Sequence, residues 1–130
     1  LMYQIPWGTA TPTQTASTAR SFGEIVNRSG HYEFPNGSSL AVEIVSGIVN
    51  WKLYNAQSQE VLSSDANISH AQRWGMVMDA DGWLWVNSAD IGSVVWVPDA
   101  AGGFRKQVAE GREVDPAVKA RRPSVLKWYD

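Results

Sequence analysis

The chain has 130 residues, a formal net charge of −2, 44% hydrophobic and 11% aromatic residues, and no cysteine. That length suits one domain with a real core and rules out disulfide staples. No apolar run approaches the roughly 18 residues of a membrane span, and no charged, apolar, small-residue opening marks a signal peptide, so a soluble protein with no membrane partner is expected.

The small net charge hides an uneven distribution. Residues 31–103 hold eight acids against Lys52 and Arg73, whereas residues 104–130 hold seven bases against four acids. An acidic body with a basic tail lets the tail dock on its own body or on an acidic partner, or stay solvated. Nucleic acid is disfavoured, because the aromatic-rich body is acidic where a backbone-tracking surface should be basic. An opening Leu1 in place of Met leaves room for an upstream segment, so an exported and a cytoplasmic home both stay open.

In chain order, residues 1–21 begin with Tyr3, Ile5 and Trp7 and continue as TATPTQTASTARS. That composition offers no periodic core face and reads as an extended arm or linker, anchored by Trp7. A single β domain is expected over 22–130. Its first stretch, 22–26, fits a helical turn or a strand equally well. HYEF, PNG and SLAVEIV then read as strand, turn, strand: Pro35 cannot continue a ladder, and Asn36-Gly37 accommodates positive φ. IVNWKLY (48–54) follows, with Val49, Trp51 and Leu53 on its core face. EVLSS (60–64) is a short strand ending in the loop DANISHAQ. Strands at 73–78, 83–88 and 93–97 come next, joined by the turns 79–82 and 89–92, with FRKQV (104–108) as the last.

Turn residues every 8–12 positions make this an all-β protein, an antiparallel β-meander forming a small β-sandwich or partly open barrel. One short C-terminal helix is expected over 115–122 within the basic segment 104–130: Asp115 can cap it, Pro116 suits its first position, and Pro123 stops it. Val125, Leu126 and Trp128 are expected to pack on the body.

The segment 73–97 carries four of the seven tryptophans. In Trp83-Leu84-Trp85-Val86 both side-chain parities are apolar, so that strand needs cover on two sides. Three covers fit the face bearing Trp83 and Trp85. They are the chain's own flanks (Trp7, the 115–122 helix, Trp128), a second copy in a homodimer, or a ligand. A carbohydrate suits the last, because sugar CH faces stack on indole while Arg73, Trp74, Asn87 and Asp90 offer flanking contacts.

Other constellations are thinner. Asp79-Ala80-Asp81-Gly82 has the alternating aspartates of a calcium loop, but Trp83 occupies the third acidic position and the terminal ligand is missing. The same residues make good hairpin chemistry. Asp79 to Val86 (D-x-D-G-W-L-W-V) resembles the strand-turn unit of β-propeller blades over those eight residues; it occurs once, with no repeat behind it. His70 and Asp90 fall in two loops and form the one conceivable acid/base pair, with no recognisable nucleophile beside them. No cofactor is implied. The expected function is a non-catalytic binding or interaction module for carbohydrate or a protein partner; the alternatives are a small hydrolase-like enzyme using His70 and Asp90, or a structural subunit.

Overall fold

A computed structural model of the chain describes residues 17–111 and 114–129, the last three through their backbone alone. In order they form β1 (Ser17–Ala19), β2 (Gly30–Glu33), β3 (Ser39–Val45), β4 (Ile48–Tyr54), β5 (Glu60–Ser63), β6 (Ile68–Ser69), β7 (Trp74–Met78), β8 (Leu84–Ser88), β9 (Gly92–Pro98) and β10 (Phe104–Val108). Helix α1 (Pro116–Arg121) and a 3-10 helix (Ser124–Tyr129) follow. Two sheets result. The first has the order β1-β2-β3-β4-β5, with β6 also on β4; the second has the order β10-β9-β8-β7. Neither closes on itself, so the expected all-β meander is a sandwich.

Local chemistry fixes the hairpins. Between β2 and β3, Gly37 takes φ +88°, its N–H donates to Phe34 O, and the Asn36 carboxamide accepts from Ser38 N. Between β3 and β4, Ser46 and Gly47 both have positive φ, 52° and 80°. Two left-handed residues in succession match the twist of the flanking strands. The β3–β4 register then runs unbroken from Ser39↔Tyr54 to Val45↔Ile48.

The main core lies between the sheets. Val49, Trp51 and Leu53 of β4 join Met76, Met78, Leu84 and Val86 of the opposite sheet in one buried cluster, as the alternation in IVNWKLY predicts. Trp51 meets Trp96 edge to face, with ring centroids 6.2 Å apart, a favoured aromatic geometry.

A second cluster lies outside the four-stranded sheet. Val77, Trp85, Val95 and Val97 are buried there under Ala109, Val118 and Leu126, with Ile25, Trp83 and Val114 packed at its margin. The chain's own flank therefore covers the second face of β8. Helix α1 starts as anticipated: Asp115 accepts from Ala117 N, Pro116 opens the helix, and the cap residue Arg122 donates its N–H to Lys119 O. Trp7 lies outside the described residues, and so does the Trp128 side chain.

Three segments depart from the sequence reading. Residues 17–19 belong to the sheet, where β1 pairs with β2 in parallel. Residues 68–69, expected within a loop, pair with Ile48 and Val49 of β4, prolonging the edge that β5 begins. Residues 22–26 form neither a helical turn nor a full strand; Val26 makes a single bridge to Met76. Two- and three-residue pairings carry too few alternations to leave a periodic trace.

Candidate functional site

The turn between β7 and β8 is organised by Asp79. Its Oδ1 accepts from the backbone N–H of Asp81 and of Trp83, both at 3.0 Å. Its Oδ2 accepts from Trp85 Nε1 and from Arg121 Nη2, both at 3.1 Å. Arg121 Nη2 also donates to Asp81 Oδ2 at 2.7 Å, and the guanidinium sits 3.6 Å from the Trp83 ring centroid. Trp83 and Trp85 share a face, with centroids 6.1 Å apart and planes 29° apart. The two carboxylates weighed as calcium ligands thus converge on a guanidinium from the basic tail, which meets the charge a cation would meet. Among the described residues, no group of three or more His, Asp or Glu side chains could hold a metal ion.

The other residues singled out for a ligand lie in different environments. Trp85 and Asn87 are 0% exposed. Asn87 Nδ2 donates to Leu126 O, and its Oδ1 accepts from Ser93 Oγ, so this amide is a buried clamp between the sheet and its cover. Trp74 belongs to the inner core, on the opposite side of the sheet from Trp85. Arg73 is exposed, and its backbone carbonyl accepts from Ala89 N. With the cover in place, Trp85 and Asn87 present almost nothing to solvent, whereas Trp83 at the margin stays partly exposed.

His70 and Asp90 are both exposed and both occupied with backbone. Asp90 Oδ2 accepts from Ser69 N at 2.7 Å, and His70 Nδ1 lies 2.9 Å from Gly47 O. These bonds pin the β6 loop to the β8–β9 turn and to the β3–β4 hairpin.

The open surface lies on the other sheet. A depression of about 560 Å³ runs over the outer face of β2 to β5, lined by His31, Glu43, Asn50, Lys52 and Tyr54 around a floor of Ala41, Val42 and Trp51, with Ser63 and Ser64 at its end. The register explains it. His31, Ala41, Lys52 and Ser63 form one cross-strand row, in which the methyl of Ala41 is a low floor between longer neighbours. Glu43 stands directly opposite Asn50 in the next row. Tyr54 lies on the same face of β4 as Asn50 and Lys52, because side chains two apart point one way. Lys52 Nζ is 3.4 Å from Glu60 Oε1.

Sequence reasoning passed over this face because an alternating strand shows its polar parity as ordinary solvated surface. The available signal was a tyrosine, an amide and a carboxylate brought to one side around a single alanine. The arrangement offers hydrogen-bond donors, acceptors and one aromatic ring, with no nucleophile held against a base. No protein-family model, curated protein or solved structure matches the chain.

Proposed function

We propose that this chain is a non-catalytic carbohydrate-binding module that holds its ligand on the outer face of the six-stranded sheet, away from the Trp83 and Trp85 face. The observation that carries this reading is the depression of about 560 Å³ lined by His31, Glu43, Asn50, Lys52 and Tyr54. Its volume falls within the roughly 300–1,000 Å³ of small-ligand pockets. Hydroxyl groups both donate and accept, and the lining supplies amide, carboxylate, imidazole and hydroxyl partners of both kinds. A protein interface would draw its energy from a buried apolar and aromatic centre. Here the apolar floor is small and ringed by polar groups, and the exposed apolar residues Ile44 and Val45 stand at the hairpin end of β3, outside the lining.

The test is a glycan array probed with the full chain and two variants. Ala41→Trp fills the floor of the depression from an outward-facing position, so it should weaken binding at least about tenfold, a loss near 1.4 kcal/mol, with the circular dichroism spectrum unchanged. Trp83→Ala should retain binding. An array with no bound glycan, or binding that survives Ala41→Trp and disappears in Trp83→Ala, overturns the reading.

A further inference from the structure

We infer that the depression on the six-stranded sheet selects uncharged oligosaccharides and rejects acidic ones, an inference that rests on the carbohydrate reading above. Charge around the site points this way. Glu43 lines the depression, and Glu33 stands on the same outer face in the row Glu33↔Ser39↔Tyr54, about 10 Å from Tyr54 across two strand spacings. The single lysine of the lining, Lys52, already faces Glu60 at 3.4 Å. Glu43 and Glu60 against the single Lys52 ammonium leave an excess of negative charge at the depression, within about one Debye length, roughly 8 Å at physiological salt, of a chain bound over Lys52. A uronate or sulfate would meet repulsion from Glu43 and would find its only lysine contact shared with Glu60.

The hydrogen-bonding groups suit neutral sugars equally well. Glu43 and Asn50 are directly opposed, which places their Cβ atoms about 5 Å apart. A carboxylate accepts only, whereas an amide donates and accepts, so the pair can take the two hydroxyls of a diol with one accepted and one donated bond. Tyr54 lies four residues along β4 from Asn50, about 13 Å on the same side, and offers the ring on which an apolar sugar face can stack. Ala41 keeps the floor low between them. The site therefore has a diol-reading end, a stacking end and a shallow middle, which fits a short chain of sugars.

The experiment is amide NMR of the full chain titrated with two sets of probes. The neutral set is cello-, xylo- and manno-oligosaccharides, and the acidic set is oligogalacturonate and heparin fragments. At least one neutral probe should shift the amides of residues 41, 43, 50, 52 and 54 to saturation, and Tyr54→Ala and Glu43→Ala should each weaken it at least tenfold. Acidic probes should leave those amides in place. The double variant Glu43→Lys with Glu60→Lys should gain oligogalacturonate binding. Acidic probes binding the depression of the unmodified chain while neutral ones do not overturns the selectivity and leaves the carbohydrate reading standing. If neither set moves those amides, the carbohydrate reading falls, and the selectivity with it.

Discussion

Asp79 accepts two turn amides, an indole N–H and a guanidinium N–H. Removing it leaves Trp85 Nε1 without its partner beside a fully buried ring, at the desolvation penalty of about 1–3 kcal/mol typical of an orphaned donor, besides the lost turn bonds. Asp79→Ala should therefore lower unfolding free energy by about 3 kcal/mol in urea titration. Arg121→Ala should cost less, about 1–2 kcal/mol, because the cation–π contact contributes up to roughly 1 kcal/mol at a half-exposed site and ion pairs open to water add little. Adding calcium to the unmodified protein should leave its melting temperature unchanged, since Arg121 occupies the two carboxylates. In the sequence, the turn at 79–82 was legible as hairpin chemistry. Its partner was not, because Arg121 lies 40 residues from Asp81 and only the tail's docking brings them together.

At the scale of elements, the cover formed by α1 and the 3-10 helix turns a bare apolar face into a second core. Leu126 is 0% exposed at its centre, and Leu126→Ala should destabilise by about 2–5 kcal/mol through lost burial and a residual cavity. Differential scanning calorimetry reads this directly, and Val125→Ala, at an exposed position of the same helix, should stay within about 0.5 kcal/mol. The eight longer strands and the helix were readable because each carries enough residues to display its period, and Asp115 and Pro116 mark the helix start. The cover was one of three arrangements that the same Trp-Leu-Trp-Val alternation permits. Choosing among them takes a tertiary contact, here Asn87 clasping the Leu126 carbonyl. The outer face of the six-stranded sheet escaped notice for a related reason, since His31, Glu43 and Asn50 look like plain surface until register gathers them around Ala41.

Seen whole, the sandwich is asymmetric. One outer face is roofed by its own tail, while the other stays open as a polar trough. Because the tail covers Trp85 and most of the aromatic face, little of it is left for a twofold dimer to bury, and light scattering at micromolar concentration should give the mass of a single chain, 14.3 kDa for these residues. Lys106 ties the two sheets at one edge, with Nζ 2.7 Å from Asp65 Oδ2 and 5.6 Å from the Trp96 ring. At 39% and 45% side-chain exposure the ion pair is screened, so moderate salt should leave the mass and fold unaltered.

The roof comes from the far end of the chain, and this has a consequence during biosynthesis. Strands β7 to β9 are complete at Pro98, whereas Leu126 is made 28 residues later. At translation rates of about 5–20 residues per second, the gap is roughly 1.4–6 s. Through that interval Val77, Trp85, Val95 and Val97 lack Val118 and Leu126, with Ile25 and Trp83 alone at their margin. A chain that stops before Pro116 should therefore bind a holdase chaperone on release, as crosslinking would read, while one that runs on through Leu126 should not.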